Sequence, residues 1–364
     1  MSAMFEGKLK QLRVFLKIEK IDAVFISSVA HIAYLTGYGN FSKEEREAYL
    51  IIGKDFEYII TDGRYSEAIK LKVPHFTLFE RGQSQSTEEL LKSLKKQIKL
   101  LGIEEDNLTV SEYKLIKKYF KTKDANLDHI RSIKTSEEIK KIKLACMLGD
   151  LAFKFILKKI KVGVAEKEIA ILLENFIKQK GGEFSFPAIV AFGKNAAIPH
   201  HHTGGDKLSR KDGFVLLDFG VKIDGYCSDM TRTIFLGSPS GKQLEIYNTV
   251  LEAQKKSAEY LKAAIKKGEK VKSSNVDKAA RDYIVSKGFK TIPHSVGHGI
   301  GLEVHEHPYI SPKSEDLLKE GMVFSIEPGI YISGFGGVRI EDLYVLEENK
   351  LERITTSKNT LISI

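Results

Sequence analysis

The stretch Phe214-Val-Leu-Leu-Asp218-Phe-Gly220, followed by Gly225-Tyr-Cys-Ser-Asp229-Met-Thr-Arg-Thr-Ile-Phe235, decides the fold of this 364-residue chain. The first segment is an apolar strand that carries a carboxylate, and the second returns along it after a turn around Lys222 to Gly225. A two-residue turn pairs residues whose numbers sum to 447 if Ile223-Asp224 turn, or to 449 if Asp224-Gly225 turn. Side chains alternate along a strand, so in either register Asp218 and Asp229 share a face, directly opposite or two residues displaced. Like charges close together on a sheet are destabilising unless something positive sits between them. The pair therefore calls for a cation. The alternative is that one Asp caps a turn while the other pairs with Arg232, and this hairpin alone leaves both readings open.

A second hairpin repeats the arrangement. Met322-Val-Phe-Ser-Ile-Glu327 runs into Pro328-Gly329, and Ile330-Tyr-Ile-Ser-Gly334 turns through Gly336-Gly337 into Val338-Arg339-Ile340-Glu341. Glu327 and Glu341 are equidistant from Gly334, which lets them face each other, although Pro328-Gly329 interrupts the strand. A fifth candidate comes from His294-Ser-Val-Gly-His298-Gly-Ile-Gly301, where glycines flanking His298 allow close backbone approach. Four carboxylates and one neutral imidazole carry a charge that two divalent ions balance. Mostly oxygen donors with one nitrogen suit a dinuclear Mn, Fe, Co or Zn centre better than a structural zinc site. Two hairpins, each preceded by helices, suggest a duplicated architecture around one site.

Working outward, Ser136 and Glu138 offer a capping start to a long helix with Ile139, Ile142, Cys146 and Gly149 on one stripe. Glu166 to Lys180, Gln243 to Lys267 and Val276 to Lys287 are further helical stretches. The N-terminal part alternates helix and strand patterns: Phe5, Leu9, Leu12 and Leu16 at helical spacing, strands at Asp22 to Ser27, Tyr49 to Ile52 and Tyr58 to Thr61, and a helix over Thr87 to Leu101. A polar joint at Ile130 to Thr135 places a boundary near Ile133, giving domains 1–133 and 134–364 of an α/β (α+β) chain.

The bulk properties exclude other classes. The apolar share is 42% and the charged share 29%, as in globular proteins. The net charge of +9 comes from lysines interspersed with Glu on helical faces, with no arginine–aromatic run, so no nucleic-acid partner is expected. No stretch is apolar enough to span a bilayer and no secretion signal opens the chain, so no membrane association and a cytoplasmic location are expected. Two cysteines, Cys146 and Cys227, are too few for a disulfide framework.

At the candidate site the sequence resembles the pita-bread metallopeptidases, the group containing methionine aminopeptidase, aminopeptidase P and prolidase. The matching segments are Ile198-Pro-His200, Leu217-Asp218-Phe-Gly, Ser228-Asp229-Met-Thr-Arg, Gly297-His298-Gly-Ile-Gly, Val304-His305-Glu, Ile326-Glu327-Pro-Gly-Ile-Tyr and Gly337-Val-Arg339-Ile-Glu341-Asp, in family order. Tyr34-Leu-Thr-Gly-Tyr38 and Thr61-Asp-Gly-Arg-Tyr65 resemble the creatinase-type N-terminal domain of the proline-specific branch. The resemblance implies a creatinase-type α/β domain followed by a pita-bread domain with an antiparallel sheet and flanking helices. It implies two divalent ions, manganese first among them (Co, Fe or Zn as alternatives), held by Asp218, Asp229, His298, Glu327 and Glu341. Glu327 would also shuttle a proton, His200 and His305 would contact the substrate carbonyl, and His294 and Arg339 would orient ligands. His201 and His202 compete with His200 for its role; His200 is chosen because it directly follows Pro199. A homodimer is implied by the resemblance alone.

The expected reaction is removal of the N-terminal residue from peptides with proline second. Many dipeptidase-like members carry an Arg after the Pro of the His-Glu-x-Pro segment, to meet the free carboxylate of a dipeptide. Here Tyr309 stands there, after Pro308, which favours an Xaa-Pro aminopeptidase over an Xaa-Pro dipeptidase. A non-catalytic binding protein on the same fold is the rival from another class; the filled ligand positions disfavour it.

Overall fold

A computed structural model describes residues 3–83, 85–211 and 213–364. The chain divides into two compact units, Met1–Arg131 and Ser132–Ile364.

The first unit is built on a six-stranded mixed sheet in the order Thr77–Arg81, Glu57–Asp62, Tyr49–Gly53, Ala23–Ile26, Leu100–Ile103 and Lys121–Asp124. The apolar run Ala23–Ile26 is buried throughout and pairs antiparallel with Tyr49–Gly53 and parallel with Leu100–Ile103, as a central strand covered on both faces should. The helix expected over Thr87 to Leu101 stops at Leu94. Ile98 is still buried, but Leu101 and Ile103 go into the sheet beside Ala23 and Phe25, and the Asp22 carboxylate accepts the Lys99 and Leu100 N–H groups at 2.8 and 2.9 Å. Strand pairing outcompetes the helical period there. The strands Thr77–Arg81 and Lys121–Asp124 were not anticipated: they are sheet edges, the second is largely exposed, and neither carries an apolar alternation.

In the second unit the strands are antiparallel and two helix pairs pack against them. The long helix runs Ser136–Ile156 as expected, but its cap is Thr135 rather than Ser136. Glu138 N–H donates to the Thr135 hydroxyl at 3.3 Å, and the Glu138 carboxylate accepts from Thr135 N–H at 2.9 Å, a reciprocal capping box. The strand Phe214–Phe219 is buried at every position because it separates two cores. Val215, Leu217 and Phe219 face the helices Ser136–Ile156 and Glu166–Gln179, while Phe214 and Leu216 face Gly241–Lys266 and Ser273–Ser286. Among the described residues no helix is long and apolar enough to cross a membrane.

The first hairpin takes one of its two expected registers and the second takes the one expected. In the first, Lys222 pairs with Cys227, Ile223 with Tyr226 and Thr231 with Asp218, so partners sum to 449 and Asp224-Gly225 make the turn, with φ of 49° and 83°. The hairpin changes sheets between these pairs. Gly220 sits at the change, where a Cβ would lie 2.0 Å from the Ser228 carbonyl oxygen. In the second, Ile326 pairs with Asp342 and Gly329 with Arg339. It too changes sheets, at Glu327-Pro328 opposite Ile340-Glu341. Asp229, Glu327 and Glu341 thus stand where a hairpin opens its ladder, with Asp218 paired to Thr231 just inside it. Backbone from outside the second hairpin fills its gap: Glu341 N–H donates to Thr231 O at 3.1 Å and Glu327 N–H to Val296 O, just before the strand Gly297–Gly299, at 2.7 Å.

Candidate metal centre

The two sheet changes and the short strand Gly297–Gly299 bring five of the anticipated side chains to one cavity of about 530 Å³. Ligand atoms of Asp229, His298 and Glu341 all lie within 4.8 Å of one another. His298 Nε2 is 3.2 Å from Glu327 Oε1 and 3.8 Å from Asp229 Oδ2, and its Nδ1 stands 3.1 Å from the Gly299 carbonyl oxygen. The Nδ1 proton goes to that carbonyl, so Nε2 is the ring nitrogen turned to the carboxylates, donating to Glu327 when protonated and open to a cation when not. Asp218 completes the set from the strand Phe214–Phe219; in this structure its Oδ2 accepts from Arg339 Nη2 at 2.5 Å. The glycines around His298 are required by close packing, since a Cβ on Gly297 would lie 2.0 Å from Ser325 O and one on Gly299 2.3 Å from His307 O.

The cluster is short of positive charge. Burial and the Glu341 charge push Asp229 well above the usual carboxylate range, and burial and the Glu327 charge do the same to Glu341. Burial also raises Asp218 despite Arg339. Only Glu327 is held down, to about 2: burial opposes its charge, but the His298 hydrogen bond and charge win, and His298 rises to about 9 against its own burial. Asp229 Oδ1 and Glu341 Oε1 are buried and have no hydrogen-bond partner. A buried carboxylate oxygen without a donor is costly, so the residues fit a pair of divalent cations on the side where these oxygens point.

Around the cluster, the guanidinium of Arg339 reaches Asp218, the Thr231 hydroxyl at 3.0 Å and the Tyr331 hydroxyl at 2.9 Å. Tyr331 O–H in turn stands 2.8 Å from His294 Nε2, whose ring is turned by a 2.7 Å contact of Nδ1 with the Ser295 carbonyl. Burial lowers the His294 pKa, which suits a neutral ring accepting from Tyr331. His200 and His305 line the cavity, the His305 ring standing edge-on to His298 with centroids 4.3 Å apart. The three adjacent histidines are separated by their partners: His201 Nε2 is hydrogen-bonded to the buried Glu166 at 2.8 Å, and His202 is not among the lining residues.

Two residues were missed by sequence reasoning. Thr231 donates to Glu341 Oε2 at 2.8 Å, and the 449 register, which places it directly across from Asp218, was the available signal. For Tyr331 the register of the second hairpin, which sets Arg339 diagonally across from it, was half the signal; its other partner, His294, lies outside that hairpin.

Residues 140–348 match the model of metallopeptidase family M24, and residues 8–133 match the Creatinase/Prolidase N-terminal domain. The chain belongs to metallopeptidase family M24. It is 37% identical over 366 residues to the Xaa-Pro dipeptidase of Pyrococcus furiosus, covering 98% of this chain and 99% of that one. Among solved structures it superposes on an Xaa-Pro dipeptidase from Bacillus anthracis with TM-score 0.89 at 35% identity, covering 99% of this chain and 100% of the other. An X-Pro aminopeptidase from Thermotoga maritima gives TM-score 0.83 at 32% identity, with 96% and 99% covered. This M24 member thus has the fold of creatinase-type domain followed by pita-bread domain that the resemblance implied.

Proposed function

We propose that this chain is a dinuclear-metal Xaa-Pro dipeptidase, with Asp218, Asp229, His298, Glu327 and Glu341 as metal ligands. The observation that carries the metal assignment is the pair of donorless buried oxygens on Asp229 and Glu341 inside the five-residue cluster. When bound, two divalent ions supply Lewis-acid polarisation of the scissile carbonyl and acidify a water.

The rest of the work falls to the chain itself. Glu327 lies at the cavity and accepts a hydrogen bond from Ser325 at 3.3 Å; it takes the proton of the attacking water and passes it to the departing proline nitrogen. His200 and His305 donate to the carbonyl oxygen as charge develops on it. Burial and the neighbouring His298 lower the His305 pKa. Arg339, fixed by Thr231 and Tyr331, holds Asp218 in place, and Tyr331 links that anchor to His294. Phe186, Pro187, Ile189 and Val304 supply the apolar wall of the cavity, suited to a proline ring and its neighbouring side chain.

The choice between dipeptidase and aminopeptidase reverses the expectation drawn from Tyr309. Relatives named Xaa-Pro dipeptidase match at 35% and 37% identity, against 32% for the X-Pro aminopeptidase. Tyr309 lines the cavity, and Arg339, the one guanidinium among the described lining residues, is engaged with Asp218 and Tyr331. In this reading the free carboxylate of a dipeptide is met by Tyr309 at the cavity wall rather than by a guanidinium.

Cleavage of Ala-Pro and Ala-Pro-Ala in the presence of Mn²⁺, followed by mass spectrometry, tests the proposal. Dipeptide cleavage with the tripeptide left intact is the expected result. Cleavage of both returns the assignment to an Xaa-Pro aminopeptidase, and cleavage of neither by metal-loaded protein supports a binding protein on this fold.

A further inference from the structure

Glu166, the first residue of the helix Glu166–Gln179, is fully enclosed, and the metal cluster does not use it. Its two oxygens accept four hydrogen bonds. Oε1 takes Phe192 N–H at 2.9 Å and the Asn195 side-chain amide at 2.9 Å. Oε2 takes His201 Nε2 at 2.8 Å and Gly204 N–H at 3.1 Å. All four donors belong to the segment from 192 to 204, the one that brings His200 to the cavity. A satisfied buried carboxylate is commonly no more than a structural clamp.

What sets this one apart is which residues are tied. The carbonyl of Pro199, just before His200, is 3.4 Å from Arg339 Nη1, the guanidinium that holds Asp218. The ring of His201, just after it, is held by Glu166. His200 therefore stands between two fastened neighbours, one tied to the cluster and the other to the helix start. With the His201 ring drawn to Glu166, the adjacent His200 is left to the cavity side.

We propose that Glu166 is a positioning residue for His200, acting through His201 to fix where the His200 imidazole stands against the substrate carbonyl. This rests on the Xaa-Pro peptidase reading above. Hydrogen bonds to developing charge lose most of their effect when the donor is misplaced by an ångström, so a loosened segment costs rate before it costs metal.

The test is Glu166→Gln in the full chain, which keeps the shape but turns an acceptor into a donor facing Gly204 N–H. The expected result is a kcat for Ala-Pro lower by about tenfold to a hundredfold, with the Mn²⁺ binding isotherm unchanged. Deuterium uptake should quicken across 193–206 and stay the same across 214–235. In a His200→Ala background the same substitution should cost no further rate. Losses that multiply in the double variant overturn the proposal, as does wild-type kcat or unchanged uptake in Glu166→Gln. If Glu166→Gln does not fold, His201→Asn carries the test, with the same rate loss and the same silence in the His200→Ala background expected; an unchanged kcat there overturns it. A wild-type chain that cleaves no Xaa-Pro peptide defeats the underlying reading alone, and the uptake comparison then decides whether Glu166 holds the segment: faster uptake supports the clamp, unchanged uptake overturns it.

Discussion

Thr231 holds Glu341 at two points: its hydroxyl donates to the Glu341 carboxylate at 2.8 Å, and its carbonyl accepts the Glu341 N–H at 3.1 Å. The same hydroxyl accepts from Arg339 Nε at 3.0 Å. One threonine in the first hairpin thus aims a carboxylate of the second. Thr231→Val keeps the shape and removes the hydroxyl. We expect metal binding weakened by about 10- to 100-fold, measured by calorimetric titration of Mn²⁺ into chelator-treated protein. Wild-type affinity would mean that Glu341 does not need this partner.

The donorless oxygens lead to a stability prediction. Mn²⁺ at a hundred times its dissociation constant should stabilise the wild type by about 2.7 kcal/mol, seen as a rise in Tm. Asp229→Ala and Glu341→Ala should lose that rise. Because burial and neighbouring charge push both carboxyl groups up, neither variant should fall far below the wild type without metal. A wild-type Tm indifferent to divalent ions would count against the site.

The glycines beside His298 are predicted to be intolerant of change. Gly297→Ala would set a Cβ 2.0 Å from the Ser325 carbonyl oxygen, and backbone cannot yield as a side-chain tip can. Separating the strands Gly297–Gly299 and Val323–Ile326 should cost about 1–3 kcal/mol and reduce metal affinity with it. Chemical denaturation read alongside metal titration checks both.

A pH dependence is expected in the first unit, far in sequence from the proposed metal ligands. His31 Nδ1 is hydrogen-bonded to Glu104, and its Nε2 lies 3.4 Å from Asp128. Burial works to lower the His31 pKa, but Asp128 and Glu104 outweigh it and the net shift is upward from 6.5. Burial likewise works to raise Glu104, but His31 and the Ser27 and Ser28 N–H groups outweigh it and the net shift is downward from 4.5. Stability from His31 is therefore complete below 6.5 and lost as pH rises through its folded pKa. Stability from Glu104 is complete above 4.5 and lost as pH falls through its folded pKa. The pair contributes most between these limits. Tm measured against pH should show that plateau, and Glu104→Gln, which leaves Asp128 as the carboxylate beside buried His31, should flatten it and cost about 3 kcal/mol.

The carboxylate cluster was legible because strand arithmetic is rigid. That Asp218 shares a face with Asp229, and Glu327 with Glu341, follows from turn residues and alternation alone; the first hairpin takes one of the two registers left open and the second the register expected. What the sequence does not carry is which partner wins when several compete. Nothing local says that His201 goes to Glu166 and His200 to the cavity, since that outcome depends on a helix start 35 residues away. Tyr331 looked like an ordinary strand residue until Arg339 and His294 were placed on either side of it. The helix over Thr87 to Leu101 ended early for a similar reason: Leu101 and Ile103 could serve a helix or a sheet equally, and the vacant place beside Ala23–Ile26 decided it.

The most direct test of the central claim is Ala-Pro hydrolysis by one preparation before chelation, after it, and after Mn²⁺ is returned, with Asp229→Ala carried alongside. The account predicts activity that disappears with the metal, returns with it, and is absent from the variant throughout. Hydrolysis that survives chelation, or that persists in Asp229→Ala, would contradict it.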